Sequence, residues 1–293
     1  MHSLYPVFAV FFASVLAEEY SDEVARYQYF PLFSAAFIDQ PQKCLDNTWP
    51  NMKVYNIIDI NNCSASGPQT SCFMYSSVNE AEKILALSFR GTQGTIQLVE
   101  EALSELVPHM DFFDSGRIFA YFYEAFLSLW SSGVSKDIRT LKYLYPDFTL
   151  YVTGHSLGGA MASIAASYLV KIGLYKPEQI KLMTFGQPRT GDVNFAEWHD
   201  STFPYSYRVV HHKDIVPHIA PQIDVIGGDT MQHHKTEIWY NNEMTPEDTY
   251  EVCKYDDGLH CSNLQIDLSW DDHMLYFNHS LDTWPELNCV KDF

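Results

Sequence analysis

Basic residues are scarce in this sequence. Eighteen Lys and Arg stand against 37 Asp and Glu, which leaves a formal charge of −19 over 293 residues. A surface so acidic is repelled by phosphate backbones and anionic bilayers, which argues against nucleic acid as a partner and favours an uncharged substrate. Long apolar runs are missing as well. The stretch from Leu4 to Leu16 is too short to span a bilayer, and no other stretch is apolar enough to do so, so no transmembrane segment is expected. No CxxC pair suggests zinc or thiol redox chemistry, and the histidine pairs at 211–212 and 233–234 lack a carboxylate or cysteine at ligand spacing. These pairs read as surface or loop histidines, and neither a metal nor an organic cofactor is implied. There is no internal repeat, no low-complexity tract and no Pro/Gly-rich linker after Glu19, so residues 18–293 are expected to form a single domain.

Among the features present, the Leu4 to Leu16 run has the length of a secretory h-region, and Val15-Leu16-Ala17 suits cleavage after Ala17. Residues 1–17 are thus expected to be a signal peptide, although the amino terminus and His2 give its n-region little charge. Six cysteines agree with an oxidising, extracellular setting. Cys63 with Cys72 and Cys253 with Cys261 each flank a short polar loop and are expected as local bridges, which leaves Cys44 for Cys289. Asn62-Cys63-Ser64 and Asn278-His279-Ser280 match the N-glycosylation sequon, so Asn62 and Asn278 are candidate acceptors.

Short β-branched and aromatic runs fall at 53–60, 72–78, 84–89, 148–153, 180–185, 205–210 and 236–240, with helical patterns at 117–131, 133–144, 157–172 and 192–200. This alternation predicts an α/β fold: a mostly parallel central sheet with helices on both faces and an antiparallel edge where the early strands follow one another closely. Ligands in such sheets gather at the carboxyl ends of the strands.

One of those ends carries Gly154-His155-Ser156-Leu157-Gly158, between the run 148–153 and a helix rich in Ala and Ser. A serine exposed on a sharp strand-to-helix turn needs small neighbours, and this is the context the G-x-S-x-G pattern requires. A serine hydroxyl is a weak nucleophile and needs a base, which needs an orienting acid; in this architecture they follow in the order Ser, Asp or Glu, His. Asp214 lies just past the predicted strand 205–210, with Asp192, Asp224 and Asp229 as rivals. Candidate bases are His218, His233, His234, His260, His273 and His279, with His273 placed to return in a late loop.

The sequence resembles the class 3 lipase family, secreted α/β-hydrolases typified by fungal triacylglycerol lipases. The resemblance is carried by SFRGT (88–92), VTGHSLGGA (152–160), TFGQPRTGD (184–192), DIVPH (214–218) and DHMLYF (272–277), in family order and at family-like intervals. It implies Ser156 as nucleophile, Asp214 as orienting acid and His273 as general base, with His218 structural. It also implies an oxyanion hole from the backbone N–H of Leu157 and from Thr92. A short helical lid is implied just after Thr92, where Ile96, Val99, Leu103 and Leu106 fall on one helical stripe. Arg90 and Arg189 read as loop anchors paired with carboxylates. The segment 117–126 lacks the family's usual His-x-Gly-Phe pattern, and its aromatics are candidates for an acyl channel or for plain core.

The reading is a secreted serine hydrolase acting on lipid esters, most simply triacylglycerol or partial glycerides, at a lipid–water interface and without a stable partner protein. The alternatives are a phospholipase or general carboxylesterase on the same triad, or a silent lipid-binding protein.

Overall fold

The computed structural model describes residues 19–63, 71–91, 109–219, 230–258 and 261–290. In chain order its first strands are β1 (Lys53–Ile60), β2 (Cys72–Asn79), β3 (Ile84–Phe89), β4 (His109–Asp111) and β5 (Arg117–Phe119). Next come β6 (Thr149–His155), β7 (Ile180–Phe185), β8 (Gly191–Asp192) and β9 (Ser206–His211), then β10 (Met231–Gln232), β11 (Glu237–Tyr240) and β12 (Glu251–Cys253). A large sheet of the described residues runs in the order β1-β2-β3-β6-β7-β9-β11-β12. Its core, β3 to β11, is parallel, whereas β1, β2 and β3 pair antiparallel and β12 returns antiparallel on β11. A smaller sheet, β10-β8-β5-β4, lies apart from it.

Strands covered on both faces must be apolar on both, which is why β3, β6 and β7 read as continuous runs. Their side chains alternate between two cores. Leu85, Leu87, Phe89, Leu150 and Val152 join the helices Ala120–Leu129 and Leu157–Lys171 on one face. Ile84, Ala86 and Tyr151 meet the helices Phe30–Ala35 and Pro41–Thr48 on the other, where Tyr29 stacks on Tyr151 at 4.7 Å.

One local expectation changes, and one region carries helices that the sequence reading did not place. Residues 117–119, predicted as helix, form β5, because they pair with His109–Asp111 and bridge to Gly191; the helix starts only at Ala120. Pairing with distant backbone overrides the local pattern. The N-terminal helices over residues 22–48 had no periodic signal strong enough to be read.

Cys44–Cys289, Cys63–Cys72 and Cys253–Cys261 are bonded. The first closes a sequence separation of 245 residues, and on a chain-entropy argument such a loop stabilises the fold by roughly 5 kcal/mol. Asn62 and Asn278 are exposed, each with a positive φ at the end of a strand or in a turn. No helix among the described residues is long and apolar enough to cross a membrane.

Candidate active site

The chain turns sharply at Ser156, between β6 and the helix Leu157–Lys171. Its φ of 58° and ψ of −129° are unusual for a residue with a Cβ, and a strained backbone of this kind persists only where the surroundings hold it. The Ser156 N–H donates to the Phe185 carbonyl at 2.9 Å, and the Ser156 carbonyl accepts from Gly159 N–H at 2.9 Å. Small neighbours are required for a steric reason. A Cβ on Gly154 would sit 2.2 Å from the Gly158 carbonyl oxygen, and one on Gly158 would sit 2.3 Å from that of Phe89. The buried small residues Ala160, Ala162, Ser163, Ala165 and Ala166 then let the helix Leu157–Lys171 lie close on the sheet. Leu157 opens that helix, where backbone N–H groups have no intrahelical acceptor.

Asp214 and His273 meet beside this turn. Asp214 follows β9 and is fully buried; His273 ends the helix Trp270–His273 and is 2 % exposed. His273 Nδ1 donates to Asp214 Oδ1 at 2.8 Å, and the Val216 N–H donates to the same oxygen at 2.9 Å. The Tyr276 hydroxyl donates to Oδ2 at 2.8 Å. Burial acts to raise the Asp214 pKa, but the adjacent His273 and these hydrogen bonds outweigh it and hold the carboxyl below its usual range. Tyr276 is pushed far up by burial and by the Asp214 charge, so it remains a donor.

His155 links the serine turn to His273. Its ring stacks on that of His273 with centroids 4.3 Å apart, and its Nε2 lies 2.8 Å from the His273 carbonyl oxygen. Burial, and then the neighbouring His273, drop its pKa well below normal, so it is neutral and Nε2 carries the proton. Ser156, His273 and Asp214 are thus gathered at the carboxyl ends of β6, β7 and β9.

The rival acid Asp192 serves elsewhere, capping the helix Val193–Thr202 by accepting from the Phe195 N–H at 2.9 Å. Asp224, Asp229 and His260 lie outside the described residues. So do Thr92 and the segment carrying Ile96, Val99, Leu103 and Leu106. Of the other histidines, His279 stacks on Trp284 and His218 sits in a turn whose carbonyl accepts from Arg189. Arg189 pairs with buried Asp257 at 2.6 Å, while Arg90 lies over the Phe73 ring and donates to Ser71 Oγ, with Asp59 at 4.0 Å. Aromatics Phe119, Tyr121 and Phe122 are core.

The sequence reads the histidine pairs as surface or loop residues; His233 and His234 do stand in a loop, but not at the surface. His211, His233 and His234 are buried, and only His212 reaches solvent. Each buried ring occupies a place where loop carbonyls or hydroxyls need a partner: His211 between Asp272 O and Asn242 O, His233 on Pro217 O, His234 on Ser163 Oγ. Burial keeps His234 at a pKa of about 3. His199, Asp200 and His234 approach one another closely enough to share a cation. Their arrangement argues otherwise, since a metal must lie in the plane of every ring that binds it. Here the two rings are stacked, 3.7 Å apart and 22° from parallel, and both nitrogens of His234 already have partners.

Tyr276 and His155 went unassigned in the sequence. Their signals were a tyrosine three residues after His273 and a histidine directly before Ser156.

Residues 86–223 match the model of the class 3 lipase family. A lipase of Caenorhabditis elegans is 29% identical over 298 residues, covering 92% of this chain and 83% of that protein. A secreted mono- and diacylglycerol lipase of Fusarium solani is 33% identical over 159 residues, 52% of this chain and 45% of its own length. The triacylglyceride lipase of Rhizomucor miehei superimposes with a TM-score of 0.70 at 22% identity, covering 90% of this chain and 97% of its own, which shows a shared α/β-hydrolase fold.

Proposed function

Since the chain belongs to the class 3 lipase family, we propose that it hydrolyses the ester bonds of uncharged glycerolipids, triacylglycerol or partial glycerides, through an acyl-enzyme on Ser156. The observation that carries the reading is the Asp214–His273 pair at 2.8 Å, stacked through His155 against the turn that holds Ser156. Asp214 fixes the tautomer of His273, leaving Nε2 to act as base. His273 takes the proton of Ser156 Oγ as that oxygen attacks the ester carbonyl. The carbonyl oxygen, now anionic, is met by the Leu157 N–H and, by family resemblance, by Thr92. Collapse breaks the bond to the alcohol oxygen, which leaves with the proton from His273. Water then attacks the acyl-serine, giving its proton to His273, and the carboxylic acid departs as Ser156 regains its hydrogen. The same resemblance puts a lid helix over 96–106, opened at a lipid surface.

An extracellular setting fits three disulfides in one chain and the signal-like run before Ala17. The charge of −19 favours neutral over anionic lipid.

The test is hydrolysis of a triacylglycerol emulsion beside a soluble short-chain ester and a phospholipid, with Ser156→Ala as control. The proposal requires that emulsion is cleaved fastest and that the variant loses at least about 10⁴-fold activity. Cleavage of phospholipid alone would refute the substrate, and full activity of Ser156→Ala would refute the mechanism.

A further inference from the structure

Residues 264–270 read Leu-Gln-Ile-Asp-Leu-Ser-Trp, apolar and polar in strict alternation, in a segment outside the large sheet. Period-two patterns usually bury the apolar set. Here they do not: Ile266 is 97 % exposed and Leu264 is 57 % exposed, while Leu268 and Trp270 are half-buried.

The segment is nevertheless held firmly, and at a telling place. Ser269 bridges Asp214 in parallel register, donating its N–H to the Lys213 carbonyl at 2.8 Å and accepting from the Ile215 N–H at 3.2 Å. Asn263 accepts from Arg189 at 3.0 Å, and the Cys253–Cys261 disulfide closes the loop behind it. Asp267 reaches Lys213 Nζ at 3.4 Å. These ties fix the segment alongside the loop that follows β9 and carries Asp214. Trp270, its last apolar member, stands edge-on to the His273 ring at 5.6 Å. An apolar row that is exposed, rigidly anchored and ends on the candidate general base is costly to leave in water unless something covers it.

We propose that Leu264 and Ile266, continued by Leu268 and Trp270, form a fixed docking edge by which the protein seats on an electroneutral lipid surface beside Ser156; this rests on the function proposed above. Charge selects the kind of surface. Asp267 is 90 % exposed and Asp271 is exposed within the same stretch, which disfavours an anionic bilayer.

The test uses the full chain carrying Leu264→Ser with Ile266→Ser, and separately Ile266→Asp. Both sites are exposed, so folding should be undisturbed. Adsorption is read by flotation with triacylglycerol emulsion droplets, turnover by hydrolysis of the same emulsion and of p-nitrophenyl butyrate in true solution. The proposal expects adsorption and emulsion turnover to fall at least about tenfold, as removal of two exposed apolar anchors should do, with soluble turnover within about twofold of the parent. Undiminished adsorption overturns it. So does a purified chain that dimerises through this edge and is made monomeric by Ile266→Asp. If the parent cleaves neither ester yet adsorbs through these residues, the function fails and the docking edge stands.

Discussion

Tyr276 donates its hydroxyl to Oδ2 of Asp214 at 2.8 Å, the oxygen that His273 leaves free. The buried carboxylate is therefore held from both sides, and its orientation toward His273 is fixed by a residue three positions further along the chain.

Tyr276→Phe should lower kcat about 10- to 100-fold with little change in KM. It removes one donor to a buried charge, worth roughly 1–3 kcal/mol, while leaving the ring packed. Steady-state kinetics on a soluble ester read the effect directly, and an unchanged kcat would show that Oδ2 needs no partner.

Gly186 packs directly against the Asp214–His273 pair. It has a φ of 52°, and a Cβ there would stand 2.6 Å from Asp214 Oδ2 and 2.9 Å from His273 Nδ1. Gly186→Ala should cost about 100-fold or more in activity by displacing that pair, since a shift of about 1 Å in a reacting group can do so. Circular dichroism and a melting curve should show that the fold persists.

Asp200 offers a test by pH. Burial, with Asp256 alongside, raises its pKa to about 7. The folded state thus holds a proton that the unfolded chain releases near its normal pKa of about 4. The resulting stability is fully present below that unfolded value and is lost as pH rises through about 7. Because the site is partly open to solvent, the effect should be no more than ~1–2 kcal/mol. Melting temperatures between pH 5 and 8 should therefore fall more steeply in the parent than in Asp200→Asn.

Arg189→Met should destabilise by about 3–5 kcal/mol, because it leaves Asp257 buried and charged without its partner. Urea unfolding measures it. Burial opposes ionisation of Asp257, but neighbouring His233 and the bonds from Arg189 hold its pKa far below the ordinary range. The loss should therefore be smaller once acid protonates the carboxyl.

The sequence was most legible where physics left few options. Parallel strands buried on both faces carry apolar residues on both, so β3, β6 and β7 stood out with near-correct ends. Gly154 and Gly158 advertised a turn too tight for side chains. It was least legible where distant contacts decide. Residues 117–119 are strand only because of partners at 109–111 and 191. The histidines at 211, 233 and 234 read as surface or loop residues, and their burial went unread because polarity along the chain does not reveal that loop carbonyls wait for them inside. Spacing left Asp214 among several acids; contact geometry separates it from Asp192, which serves as a helix cap.

The most direct measurement is covalent. The chain would be incubated with a p-nitrophenyl alkylphosphonate, which phosphonylates an activated serine and releases p-nitrophenol, and the adduct located by peptide mass spectrometry. The account predicts one adduct, on Ser156, with loss of ester hydrolysis in proportion and no labelling of the His273→Ala variant at a comparable rate. An adduct on another residue, or full hydrolytic activity after Ser156 is modified, would contradict it.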